Sequence, residues 1–141
     1  VLFYPALLSN SQANILFFEL KELSNNIAHR REIAKVYAHI LSAYRHQSVD
    51  GEEVPLYFTL LVENPRSIQE QLHTKGIHLS LYWTGHPIVP SKIAPSVAHY
   101  REGQCPVSED VSATVLNLPT HRHISKRAAA RIAKEVALCL K

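Results

Sequence analysis

The chain has 141 residues but no methionine, only two cysteines, four glycines and a single tryptophan. Each scarcity excludes something. Without methionine, Val1 is not a retained translation start, and the chain is expected to be a piece of something longer. Cys105 and Cys139 form neither a CxxC pair nor the dense framework that staples small secreted scaffolds, so a reducing, cytoplasmic setting is expected. Four dispersed glycines leave no glycine-rich loop to cradle a phosphate. The apolar opening VLFYPALL follows no basic region and is far too short to cross a bilayer or serve as a signal sequence, so no membrane partner is expected.

What is present describes a folding chain. Hydrophobic residues make up 46% and charged residues 19%, a balance that argues against disorder. The length suits one domain, residues 1–141, with a real core. Net charge is +3, but lysine and arginine are spread along the chain without interleaved aromatics, which speaks against a nucleic-acid partner.

From Ser9 or Ser11, either able to cap a helix, apolar positions recur at Ala13, Leu16, Leu20, Leu23, Ile27, Ala34, Tyr37, Leu41 and Tyr44 in steps of three and four. The spacing predicts one long helix whose length exceeds what a small domain needs to cover its own sheet, so part of it is expected to serve a second domain or subunit. Arg30 sits in the one gap of this stripe and its polar head needs a partner: snorkelling to solvent or pairing with a carboxylate such as Glu32 or Glu19 is expected, with a functional anion contact as the alternative. Leu56 to Val62 reads as a central strand; Asn64, Pro65 and Gly76 bracket a short helix with Ile68 and Leu72 inward; Ile77, Leu79 and Leu81 alternate as a further strand. Thr84 to Ala113 shows no sustained period and is expected to be a long loop, of the kind that frames sites. Thr114 to Leu118 predicts a strand, Pro119 its end, and Ser125 the cap of a basic helix turning Ala129, Ile132, Val136 and Leu140 inward. The fold class is therefore α+β, with a three- to four-stranded, mostly antiparallel sheet and helices packed on it.

Local chemistry is thin. His121 and His123, with His86 and Cys105 as distant candidates, lack the CxxC or HExxH partner that makes zinc spacing specific, so no metal site is expected. No GxSxG-type signature marks a nucleophile. Lys21, Lys35, Lys75, Lys92, Lys126, Lys134 and Lys141 are Schiff-base amines only in principle, since a reactive lysine needs a desolvated pocket or neighbouring positive charge. No catalytic residue is assigned.

The order of elements near the C-terminus has a recognisable look. Cys105-Pro106, Glu109, Leu116, Leu118-Pro119, His121 and Ser125 fall on a "cP.aE..s..vLsLP.h..ls" run followed by a helix. In this the chain resembles the DegT/DnrJ/EryC1/StrS aminotransferases, pyridoxal-phosphate enzymes that put amino groups on keto-sugars. The likeness extends upstream: Gln12-Ala13 lies at the family's "qAA", Arg30-Arg31 through Tyr37 at "Rr.iA..Y", and NPRSIQEQLHTKGI resembles "nRd.l...L...GI".

The resemblance implies the small C-terminal domain of a fold-type I aminotransferase acting on nucleotide-linked keto-sugars. It also implies that the cofactor lysine, its ring-pairing acid and the phosphate donors stand in a preceding domain, so the partners are that domain and a homodimer mate. The fragment alone is expected to be inactive and to hold no pyridoxal phosphate. At the mouth of the family's sugar site, where the family often has a histidine and an aromatic, this chain has Tyr82-Trp83, with His86 one residue short of a second common histidine. Where the family carries "N.R" before the long helix, its asparagine reaching the cofactor phosphate of the neighbouring subunit, this chain has Pro5 and Leu7. Proline has no side-chain donor for that contact, which opens a second reading: a binding or scaffold domain that kept the fold and lost the chemistry.

Overall fold

A computed structural model of the chain describes residues 8–80, 83–85, 87 and 93–141. The elements run α1 (Asn10–Lys21), α2 (Leu23–Ile40), β1 (Tyr57–Leu61), α3 (Pro65–Thr74), α4 (Pro106–Thr114), β2 (Val115–Pro119) and α5 (Lys126–Cys139). The α+β class read from the sequence is the one observed. Among the described residues no helix is long and apolar enough to cross a membrane.

β1 and β2 pair antiparallel, with Phe58 opposite Leu118 and Leu60 opposite Leu116. Among the described residues only these two form a ladder, against three or four strands expected. The further segments add one bridge each, His46 to Leu60 and Ser80 to Asn117. The alternation predicted from Ile77 to Leu81 survives as buried Ile77 and Leu79 flanking exposed His78, without ladder pairing; Leu81 lies outside the described residues.

One face of the sheet carries the core. Phe58, Leu60, Leu116 and Leu118 are fully buried in one cluster with Ile33 and Tyr37 of the second helix, Leu41 at its C-cap, and Ala129, Ala133 and Val136 of the last. Burying each large side chain contributes about 1.5–3 kcal/mol. Tyr37 spans the interface, its ring 5.4 Å from that of Phe58 and its hydroxyl donating to the Pro119 carbonyl at 3.0 Å. Burial pushes that hydroxyl's pKa up, so it stays a donor.

The helix boundaries follow local chemistry. Ser9, not Ser11, caps α1 through a box with Gln12, whose N–H donates to the serine hydroxyl at 3.3 Å while its side chain receives Ser9 N–H at 3.0 Å. The single long helix expected here is interrupted at Glu22, where ψ flattens to −1°. Ser24, Asn25 and Asn26 follow, residues that compete with helical hydrogen bonding, and the Glu22 carboxylate accepts from Asn25 at 3.1 Å. The second helix ends at Ile40, short of Tyr44. The third ends as the sequence predicts: Gly76 takes φ +72°, its N–H reaches His73 O and Ile77 N–H reaches Leu72 O, both at 3.0 Å. Asn64 occupies the N-cap position, but at φ 51° and without a side-chain cap. Ser125 caps α5 by accepting from Ala128 N–H at 3.1 Å.

Two expectations need correction. Arg30 finds no carboxylate: it donates to Leu56 O at 3.0 Å, Thr120 Oγ1 at 3.1 Å and Asn26 Oδ1 at 3.2 Å. Glu32 instead pairs with Lys126 at 3.0 Å and Glu19 with Arg122 at 3.6 Å. The approach to β1 leaves carbonyls without strand partners beside the helix, and a guanidinium with five donors satisfies them. The loop expected from Thr84 to Ala113 is helical over its last eight residues, where α4 starts at Pro106 in the first helical position.

Candidate functional site

The second face of the sheet is where polar groups are built in. Asn117, in the middle of β2, is buried, and its Oδ1 accepts from its cross-strand neighbour Thr59 at 3.2 Å. A buried polar pair on a sheet surface needs such mutual satisfaction, because leaving one member unpaired costs about 1–3 kcal/mol. Above the pair lies an open cleft of about 390 Å³, walled by Val107, Ser108, Val111 and Ser112 of the fourth helix and by Trp83 opposite. Its floor is polar and its lips are apolar.

Trp83 is held in an unusual way. Its φ is +64°, a left-handed conformation rare for a bulky residue and costing on the order of 1–3 kcal/mol. The next two residues impose it. Buried Thr84 donates its hydroxyl to Val115 O at 2.9 Å, and Gly85 N–H binds Ser112 O. Gly85 itself has φ +74°. The short segment is thus fastened to the fourth helix and second strand at once, leaving the indole at the cleft rim, 45% exposed. Strain of this kind persists where the surroundings over-determine it.

Of the sequence candidates at the sugar-site mouth, Trp83 therefore lines a cleft, while Tyr82 and His86 lie outside the described residues, as do Pro5 and Leu7. Thr59, Asn117, Ser108 and Ser112 were not singled out from the sequence. Two signals mark them: the "LNLP" run puts an asparagine inside an otherwise apolar strand, and Val107 with Val111 and Ser108 with Ser112 recur four residues apart, the spacing of one helix face.

A second depression, about 520 Å³, lies between Gly76–His78 and the start of the last helix, lined by His121, Ser125, Arg127 and Arg131. Burial, and then the nearby His123, Arg30 and His29, lower the pKa of His121 and favour its neutral form. Arg131 is partly engaged with Lys75 O at 3.4 Å. The His121 and His123 rings meet at a tilt of 58°, their centroids 5.8 Å apart, and Cys105 is exposed at the start of the fourth helix. Among the described residues no three histidine, cysteine, aspartate or glutamate side chains converge as metal ligands.

Neither cleft offers a reactive amine. Lys21, Lys35, Lys75, Lys126, Lys134 and Lys141 are all exposed, and Lys92 lies outside the described residues. Lys75 is bound to Glu135 at 2.6 Å, a hydrogen bond that raises its pKa, the reverse of what an amine nucleophile needs. The lining of the sheet cleft does not fit pyridoxal phosphate: it holds no lysine to bond the cofactor and no cationic group to face its phosphate.

The description of the DegT/DnrJ/EryC1/StrS aminotransferase family matches residues 4–137. Among solved structures, S. venezuelae DesV aligns with a TM-score of 0.77 at 24% identity, over 92% of this chain and 36% of its own. A DegT DnrJ EryC1 StrS aminotransferase from Brucella abortus gives 0.74 at 23%, over 92% and 35%. Helicobacter pylori PseC, an aminotransferase involved in the biosynthesis of pseudoaminic acid, gives 0.73 at 18%, over 88% and 35%. The chain spans about a third of the length of each. No curated protein sequence matches it.

Proposed function

Because the chain belongs to the DegT/DnrJ/EryC1/StrS aminotransferase family, we propose that residues 1–141 form the small domain of a transaminase acting on nucleotide-linked keto-sugars. The observation that carries this reading is the sheet cleft, whose apolar rim at Trp83 and hydrogen-bonding floor at Thr59 and Asn117 suit a sugar: a flat indole for a ring face, hydroxyl and amide groups for its alcohols. In this division of labour, pyridoxal phosphate supplies the electron sink from another domain, where the Schiff-base lysine stands. This lobe shapes the entrance, with Tyr82, Trp83 and His86 at the mouth. The setting is cytoplasmic, and the partners are the cofactor domain and a second subunit.

The exposed apolar helix supports the domain part of this reading. α1 presents Ile15, Phe17, Phe18 and Leu20 to solvent, a surface that a cofactor domain or second subunit would cover. A second reading, a scaffold domain without catalysis, is favoured by Pro5 and Leu7 at the family's cofactor-phosphate position.

The test uses the intact gene product. Trp83→Ala is expected to raise KM for a nucleotide-linked keto-sugar on the order of tenfold, with kcat within about a factor of three, as for lost ground-state binding. Unchanged KM sinks the role of Trp83. Binding of the sugar nucleotide without any amino transfer favours the scaffold reading.

A further inference from the structure

Glu109 belongs to the family-like run but has no role in the cleft chemistry above. It stands in the first turn of the fourth helix, and one of its carboxylate oxygens receives two donors from the segment before that helix: the Tyr100 hydroxyl, and Gly103 N–H at 2.7 Å. Residues 93–104 are themselves folded back by short turns. Tyr100 N–H binds Pro95 O at 2.9 Å, Gln104 N–H binds Arg101 O at 3.0 Å, and the Gln104 side chain accepts Arg101 N–H at 3.2 Å. His99 and Gly103 take φ +53° and +82°. A segment bent this sharply by left-handed residues needs an outside tie to keep one geometry.

The tie is made to the helix that walls the cleft. At 100° per residue, Glu109 faces away from Val107 and Val111, so the loop is fastened behind the wall while those two valines face Trp83 across the cleft. We propose that Glu109 is a positioning residue, a latch that fixes the fourth helix and its cleft wall by binding Tyr100 and Gly103. A carboxylate does this better than an amide, since hydrogen bonds to an ionised acceptor are roughly twice as strong. The charges around it fit: Tyr100's hydrogen bond and then Gly103's amide hold the Glu109 carboxyl below its usual range, while the carboxylate pushes the Tyr100 hydroxyl up to about 12. Arg101, Glu102 and Asp110 nearby are exposed. The latch rests on the substrate-mouth reading only for its catalytic consequence.

The experiment compares the chain with Glu109→Ala, Glu109→Gln and Tyr100→Phe, using tyrosine carbon resonances, with Tyr100 assigned by its phenylalanine variant. Acrylamide quenching of Trp83, the one tryptophan, reports the cleft. In the unsubstituted chain about one-tenth of Tyr100 is expected to be ionised at pH 11; Glu109→Ala should drop its pKa by about two units, making that about nine-tenths. Trp83 quenching should rise at pH 7 in Glu109→Ala and Tyr100→Phe alike, and by less in Glu109→Gln, which keeps an acceptor in place. Should Glu109→Ala lose its circular dichroism, Glu109→Gln carries the pKa comparison and Tyr100→Phe the quenching one. An unmoved Tyr100 pKa overturns the latch. So does a moved pKa with unchanged Trp83 quenching, which would leave a surface bond that positions nothing. Neither outcome bears on whether the cleft takes a sugar.

Discussion

The first and last helices are built from similar amounts of apolar side chain and end in opposite environments. α1 has no buried residue, with Phe17 62% and Phe18 63% exposed, whereas the last helix buries Ala129, Ile132, Ala133 and Val136 against the second helix and the sheet. Patterning separates them: FFEL puts large apolar groups around most of the first helix, while the last concentrates small and branched residues on one side and Lys126, Arg127, Arg131 and Lys134 on the other. A one-sided helix completes its own lobe. A helix apolar around most of its circumference is made for a surface the described residues do not supply.

The comparison breaks first in the core. Phe58→Ala, at a fully buried site beside Tyr37, is expected to lower unfolding free energy by about 3–5 kcal/mol in a urea titration. Arg30→Ala should cost about 1.5 kcal/mol in the same assay, since the Leu56 carbonyl and the Thr120 hydroxyl lose the guanidinium but keep their bond to one another at 2.8 Å. Ser125→Ala removes the N-cap of the last helix and should cost about 1 kcal/mol, and Ser125→Asp should restore most of it. On the other side, Phe17→Ser combined with Phe18→Ser should change unfolding by less than about 0.5 kcal/mol, because neither ring is packed, while reducing self-association in sedimentation. A cost above about 1.5 kcal/mol would mean that these rings are packed within the chain, and the contrast would fail.

Much of the packed region was legible in the sequence because its signals are local and agree with one another. Pro65 and Gly76 bracket a helix through fixed φ and a left-handed terminator, and Ser125 caps one through its hydroxyl. The central strands follow from branched and aromatic runs closed by Pro119. The fourth helix was not legible: PVSEDVSAT has branched and hydroxyl residues of modest helix propensity, and only Ser112 is buried, so no apolar stripe announces it. Pro106 was the available sign. The apolar stripe through Ala13, Leu16 and Leu20 finds no surface among the described residues to receive it. Arg30 was placed with acids because charge invites charge, while the structure shows backbone carbonyls winning through geometry. At the cleft, Trp83 came from family resemblance and Asn117 stands out as a polar residue in an apolar strand, but its pairing with Thr59 follows only from the strand register, which is tertiary information.

The most direct measurement incubates the chain with pyridoxal phosphate, reduces with borohydride and maps modified lysines by mass spectrometry. A lobe that shapes the entrance to a site whose reactive amine stands elsewhere should show only scattered, substoichiometric labelling of its exposed lysines. One equivalent of label on a single lysine would contradict it.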